Sequence, residues 1–378
     1  MKRKRNYSWI IIVALLFSAC AKENKPVTQL KDALLNDFYV GVALNSWQTK
    51  GSDSLTNSVI TGHFNSIVAE NCMKSESIQP EEGVFTFNDA DNFVSYGEAN
   101  GMFIIGHCLV WHSQAPKWFF SDENGEDVSR EVMIQRLKTH IDTLVGRYKG
   151  KVHGWDVVNE AFNEDGTLRN SKFLQIIGED YLQLAFEFAH QADPEAELYY
   201  NDYNMFKPEK CQGVVKLVKS LQEKGVKIDG VGFQGHIGLT EPTIEEYETS
   251  INAIAELGVN VMFTELDITV LPWPSDQVTA EISTNYELKN EYNPYPNGLS
   301  DSLSQALDKR YESMFNMFIK HSDKITRVTL WGLSDANTWR NNWPIKGRSD
   351  YPLLFDRELK PKAAVDKIIA LKSNQKLN

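Results

Sequence analysis

Val40-Gly41-Val42-Ala43-Leu44-Asn45-Ser46-Trp47 is an apolar run that passes straight into a polar and aromatic segment. A doubly wound open sheet is expected to carry a Gly-rich phosphate turn after its first strand. Asn45-Ser46-Trp47 stands where that turn would be. Seven more short apolar runs follow, at Ser66–Ala69, Met102–Val110, Val152–Val158, Glu197–Tyr200, Gly230–Gln234, Val259–Glu265 and Thr326–Trp331. They read as strands buried on both faces, as in a parallel sheet. Helix-like segments lie between them. Over Phe173–Gln191 one stripe carries Leu174, Ile177, Tyr181, Leu184, Ala185 and Phe188, which predicts one amphipathic helix. Pro208 opens a further helix at a first-turn position and Gly225 ends it. Another, Ser302–Lys320, packs through Leu303, Leu307, Tyr311, Met314, Phe315 and Phe318. Eight strands alternating with helices over about 330 residues predict an α/β chain folded as a single (β/α)8 TIM barrel.

The flanks and the composition bound what such a barrel does. Residues 1–19 read as a signal peptide, with Lys2, Arg3, Lys4 and Arg5 before an apolar run from Trp9 to Phe17. That run is too short to span a bilayer. Ser18-Ala19-Cys20 resembles a bacterial lipobox, with Phe17 where Leu is usual. The expectation is a lipidated Cys20, a polar tether to residue 32, and a catalytic barrel over 33–373. Membrane contact would then run only through the lipid, at the outer membrane or cell surface. The other cysteines, Cys72, Cys108 and Cys211, fit no zinc spacing and suit core packing. The chain carries a net charge of −12, with 39 Lys and Arg against 51 Asp and Glu. An acidic body without basic runs argues against nucleic acid and fits a neutral substrate. A monomer is the default expectation. One stretch matches no element: 271–299, with Trp273, Tyr286, Tyr292, Tyr295 and four prolines. It reads as an extended loop after the seventh strand, either facing a ligand or forming a plain surface insertion.

Reactive groups of a barrel come from the C-terminal ends of its strands. The fourth ends in Trp155-Asp156-Val157-Val158-Asn159-Glu160, the seventh in Phe263-Thr264-Glu265-Leu266-Asp267. Two Glu delivered from opposite sides of a barrel mouth suit hydrolysis of a glycosidic bond, which needs an acid for the leaving oxygen and a carboxylate on the other face. His236 lies near them in the chain's strand pattern. Trp331 and Trp339, just past the eighth strand, suit stacking on sugar rings, whereas Trp155 inside a strand reads as core.

These segments resemble glycoside hydrolase family 10, the retaining endo-β-1,4-xylanases. The likeness runs over roughly 33–370 and rests on six motifs in order: Glu70-Asn71-Cys72-Met73-Lys74, Gly106 to Gln114, Trp155 to Ala161, Gly232-Phe233-Gln234-Gly235-His236, Thr264 to Asp267, and Leu330-Trp331-Gly332 with Ser334 to Arg340. The resemblance implies Glu160 as general acid/base and Glu265 as nucleophile. It implies Asn159 on the sugar's 2-hydroxyl, and His236 on Glu265 with Asp267 orienting it. Glu70, Asn71, Lys74, His107, Trp111 and Gln114 would line the glycone side, and Gln234 the reacting centre. Tyr203 and Asn204 would face the leaving group, and Trp331 and Trp339 would cap the groove. Xylan and xylo-oligosaccharides are the implied substrates, with no cofactor and no metal. Ser75 departs from the family, which usually has Trp there.

Three other readings stay in view. A β-1,4-glucanase of the same clan shares Asn-Glu at the fourth strand. A non-catalytic glycan-binding lipoprotein would be expected to have lost a carboxylate. A metal-dependent barrel hydrolase lacks support, since no His-x-His or His-Glu-x-x-His pair occurs.

Overall fold

The computed structural model describes residues 27–274 and 285–375. The leader, Cys20 and part of the 271–299 loop lie outside the described residues.

Eight parallel strands close on themselves: β1 (Tyr39–Leu44), β2 (Ser66–Ala69), β3 (Phe103–Trp111), β4 (Gly154–Asn159), β5 (Glu197–Asp202), β6 (Gly230–Phe233), β8 (Asn260–Thr269) and β9 (Ile325–Leu330). Strand β1 pairs with both β2 and β9, and β6 pairs with β8, so the barrel has no free edge. A three-residue strand, β7 (His236–Gly238), sits beyond the ring and pairs with β8, His236 opposite Asp267. The predicted seventh and eighth strands are therefore β8 and β9, and β7 explains how His236 is strand-borne just after β6 ends.

Two layers of core hold the barrel. Ala43, Val68, Ile105, Tyr199 and Met262 fill its interior with Trp331. A larger layer packs the outer strand faces against the helices and includes fully buried Trp155. Gly106 makes room for that indole: a Cβ there would stand 2.1 Å from the ring.

Some boundaries differ from the sequence reading, each for a local reason. The segment 173–191 is two helices, Lys172–Ile177 and Tyr181–Ala192, because Gly178 takes φ +95° and interrupts the hydrogen-bond ladder. Pro208–Glu223 starts on its proline, and the chain leaves it through Gly225 at φ +71°. Strand β5 runs on to Asp202 and β8 to Thr269, as polar side chains at the barrel mouth still pair through their backbone. Leu30 heads a short helix and is fully buried with Leu34. The apolar Leu30 draws the chain into the body before residue 33. The described part of the 271–299 loop lies against the chain after β9: Tyr286 N–H donates to the Pro344 carbonyl, and the Tyr351 hydroxyl donates to the Tyr295 carbonyl.

Candidate active site

One cavity of about 670 Å³ opens at the C-terminal ends of the strands. Every candidate side chain named from the sequence lines it except Asp267, which is fully buried behind it. From β2 and the turn after it come Glu70, Asn71 and Lys74; from β3 and its exit come His107, Trp111 and Gln114. Strand β4 ends on Asn159, and Glu160 follows it directly. Tyr203 and Asn204 follow β5, Gln234 and His236 follow β6, Glu265 stands on β8, and Trp331 and Trp339 follow β9.

Side chains alternate along a strand, so consecutive Asn159 and Glu160 should face opposite ways. The chain avoids this by leaving β4 with Glu160 at φ +58°. That conformation costs an L-residue about 1–2 kcal/mol, and it lets both side chains enter the cavity. Irregularities in strand pairing between His107 and Val110, Asp156 and Val158, and Phe263 and Leu266 fall beside the same residues. Bulges of this kind re-aim side chains next to active sites.

The two glutamates have different environments. Glu160 accepts from Trp111 Nε1 and Gln234 Nε2, both at 2.9 Å. Glu265 accepts from Asn201 Nδ2 at 2.7 Å and lies 3.2 Å from His236 Nε2. Amides join them. Asn201 Nδ2 also donates to Asn159 Oδ1 at 2.9 Å, and Gln234 Nε2 reaches the same oxygen at 3.3 Å. Thr264 Oγ1 donates to Asn201 Oδ1 at 2.6 Å and so fixes which end of that amide faces Glu265.

Behind Glu265 stands a charged relay. His236 Nδ1 is 3.0 Å from Asp267 Oδ2. Trp339 Nε1 donates to that oxygen at 2.7 Å, and Arg340 Nε donates to the other at 2.8 Å. Burial works to lower the imidazole's pKa, but the charges of Asp267 and Glu265 outweigh it and raise it to about 9. Burial opposes ionisation of Asp267, yet Arg340 and His236 hold its carboxyl at about 2. His236 is thus a cation at neutral pH.

Lys74 stands on the far side of the cavity. Lys74 Nζ donates to Gln114 Oε1 at 2.8 Å and Asn71 Oδ1 at 3.0 Å, and lies 4.9 Å from the Trp111 ring centre. Burial holds its pKa below the ordinary lysine value, against the opposing pull of nearby negative charges, Glu265 and Glu70 among them. Burial likewise raises Glu70, against the charge of Lys74 and hydrogen bonds from Asn45 and Asn71. His107 donates or accepts through Nδ1 at 2.9 Å from buried Asp156 and sets its ring edge-on to Trp331. Ser75, the departure from the family pattern, has its hydroxyl 3.3 Å from His140 Nε2, outside the cavity lining.

Sequence reasoning missed Asn201, Asp156 and Arg340. Asn201 follows the predicted fifth strand directly, and the strand-end rule would have found it had that strand been drawn two residues longer. Asp156 and Arg340 sat inside quoted motifs without a role. Trp273 and Trp343 also line the cavity, with rings 5.4 Å apart, so the described start of the long loop joins the site. Among the described residues, no group of three or more His, Cys, Asp or Glu side chains could hold a metal ion.

Comparison with known proteins agrees with this architecture. The family model for glycosyl hydrolase family 10 matches residues 29–371. Endo-1,4-beta-xylanase A of Xylanibacter ruminicola is 51% identical over 357 residues, covering 94% of this chain and 96% of that protein. The endo-1,4-beta-xylanase of Geobacillus stearothermophilus is 41% identical over 350 residues, covering 91% of this chain and 98% of that protein. The structure of an endoxylanase of the same family, retrieved from a sugarcane soil metagenome, superposes with a TM-score of 0.87 at 45% identity, over 90% of this chain and 99% of that one. The closed barrel, the two cavity glutamates and a likeness that extends along almost all of the sequence lead to one assignment: the chain belongs to glycosyl hydrolase family 10.

Proposed function

We propose that the protein is an endo-1,4-β-xylanase that cleaves internal xylosidic bonds of xylan and xylo-oligosaccharides with retention of configuration. The observation that carries this reading is the pair of glutamates from β4 and β8 in one cavity, one held by Trp111 and Gln234, the other by Asn201 and cationic His236. Glu265 attacks the anomeric carbon while Glu160 passes its proton to the departing oxygen. The sugar is then joined to Glu265 as an ester. Water displaces it, giving its proton to Glu160, and both side chains return to their starting forms. This requires carboxyl groups about 5–5.5 Å apart.

The surroundings suit the two steps. His236 holds the Glu265 carboxyl in place between turnovers, with Asp267 fixing the ring and Arg340 fixing Asp267. Asn159 accepts from two amides on Oδ1, which leaves Nδ2 to donate to the 2-hydroxyl, a contact that strengthens in the transition state. Glu70, Asn71, Lys74, His107 and Gln114 supply hydrogen bonds to glycone hydroxyls. Trp331 and Trp339 cover the reacting sugar, and Tyr203 with Asn204 meets the leaving side.

Xylan and carboxymethylcellulose test the assignment: the first should be hydrolysed and the second not, whereas the reverse would favour a glucanase. Glu160→Gln should lower xylan turnover by about 10²–10⁴-fold, and Glu265→Gln by about 10⁴-fold or more. Both should still bind xylohexaose. Unchanged turnover with lost binding would overturn the roles and favour a glycan-binding protein.

The reading includes location. The basic start, apolar run and Ser18-Ala19-Cys20 support export and a lipid anchor on Cys20, at the outer membrane or cell surface. Cys20→Ala should move the protein from the membrane fraction to the soluble one. Retention in the membrane would contradict the anchor.

A further inference from the structure

The segment after β4 is a small hairpin that brings the chain back to where it left the barrel. Asn163 N–H donates to the Thr167 carbonyl at 2.8 Å and Gly166 turns the corner at φ +77°. Phe162 and Leu168 face each other across it in an antiparallel bridge. The next residue, Arg169, therefore arrives beside Ala161, and its N–H donates to the Ala161 carbonyl at 2.7 Å.

The guanidinium of Arg169 then takes three acceptors. Nε donates to the Glu160 carbonyl at 2.9 Å. Nη2 donates to the Phe162 carbonyl at 3.3 Å and to the Tyr203 hydroxyl at 2.9 Å. Tyr203 is itself pinned, since Lys210 Nζ lies 3.4 Å from its ring centre and 2.8 Å from Asp202 Oδ1, and Lys210 is fully buried. On the other side of the turn, Ala161 N–H donates to the Tyr200 hydroxyl, which donates to Asp202.

We propose that Arg169 is a positioning residue for the acid/base carboxylate, locking the left-handed turn at Glu160 and tying it to Tyr203 on the leaving-group side. The proposal rests on the reading of Glu160 as acid/base. A rigid planar fork holds these acceptors at fixed positions from two separate nitrogens, whereas a lysine offers its donors from one point on a flexible stem. The turn at Glu160 is strained, so it persists only while its surroundings hold it. Released from Arg169, Glu160 could rotate toward an ordinary extended conformation and swing its carboxyl away from the departing oxygen. Glu265 hangs from β8 through Asn201 and His236 and makes no contact with Arg169 among the interactions described above. Protonation of the leaving group should therefore suffer while nucleophilic attack is spared.

Two aryl xylobiosides read this split. A 2,4-dinitrophenolate leaves without a proton, whereas a phenolate needs one. Arg169→Met should lower kcat/KM for the phenyl substrate by about 30–100-fold, less than the roughly 10²–10⁴-fold of general acid catalysis because the carboxyl is misplaced and not removed, and change that for the dinitrophenyl substrate less than about 3-fold. Added azide, which needs no base, should raise kcat on the dinitrophenyl substrate, and Arg169→Lys should recover part of the loss. Equal losses on both substrates, or no loss on either, would overturn the proposal. Should Arg169→Met fail to fold, Arg169→Lys on the same two substrates decides. Glu160→Gln is run beside them: absence of the split in that variant would overturn the acid/base reading itself, and a split there but not in Arg169 variants would overturn only this inference.

Discussion

At the residue scale the site depends on charges that are costly alone and stable together. His236, Asp267, Glu265 and Arg340 are buried or nearly so, and removing one leaves the others with uncompensated charge. The pH dependence follows from the two shifted groups. His236 is raised from 6.5 to about 9, so its stabilisation is complete below about 6.5 and lost as pH rises through 9. Asp267 is lowered from 3.8 to about 2, so its stabilisation is complete above about 3.8 and lost as pH falls toward 2. In urea melts His236→Asn should be destabilised relative to the native chain by on the order of 3 kcal/mol at pH 6, with the gap closing by pH 10. A gap independent of pH would show that the ring contributes only packing. Asn201→Ala should lower kcat on xylan by about 10²-fold with KM little changed, since it removes the donor that orients Glu265 and Asn159. A loss confined to KM would contradict that role. Glu160, Glu265 and His236 were legible because strand-end position marks them. Asn201 was not, because it lies on a strand that its own apolar run, Leu198-Tyr199-Tyr200, does not delimit. Three sequence-distant partners, Asn159, Glu265 and Thr264, bring it into the site, and none is visible one-dimensionally.

At the scale of elements, the hairpin after β4 is docked on the helix Pro208–Glu223 through a pair of glycines. A Cβ on Gly213 would stand 2.6 Å from the Gly166 carbonyl oxygen, and one on Gly166 would stand 2.3 Å from that of Glu209. Gly213→Ala favours the helix locally but forces the hairpin outward. The expected net result is a loss of about 1–3 kcal/mol and a drop in kcat through the turn at Glu160, checked by thermal melts and xylan kinetics. A variant more stable than the native chain with full activity would show that the hairpin is free to shift. Helices announced by Pro208 and Gly225 were readable, since each residue acts on its own backbone. The break at Gly178 was not, because the apolar stripe from Leu174 to Phe188 continues across it: the stripe reports which side is buried, and both helices contribute to the same core. The double role of the β4 exit was equally hidden, as nothing in Asn159-Glu160 states that the second residue turns left-handed.

At the scale of the whole molecule, the barrel was legible from eight apolar runs and the absence of a phosphate turn, since each strand is covered on both faces and keeps its apolar signature. The small β7 strand and the packing of the long loop were less so: the first is only His236–Gly238, and the described part of the second meets the chain after β9 through scattered contacts such as Tyr351 to Tyr295 and Trp273 to Trp343. Closure places Lys74 and the cations His236 and Arg340 around the acids. Xylan hydrolysis should therefore be unchanged in excess chelator, and a tenfold loss reversed by added metal would contradict that. In the proposed mechanism Glu265 forms a covalent bond to the sugar while Glu160 handles the proton. Mass spectrometry after incubation with a dinitrophenyl 2-deoxy-2-fluoro-xylobioside, which slows release of the intermediate, tests it most directly. The account predicts one fluoroxylobiosyl adduct per chain, on Glu265 and absent in Glu265→Gln; an unlabelled chain that still turns over xylan, or an adduct on another residue, would contradict it.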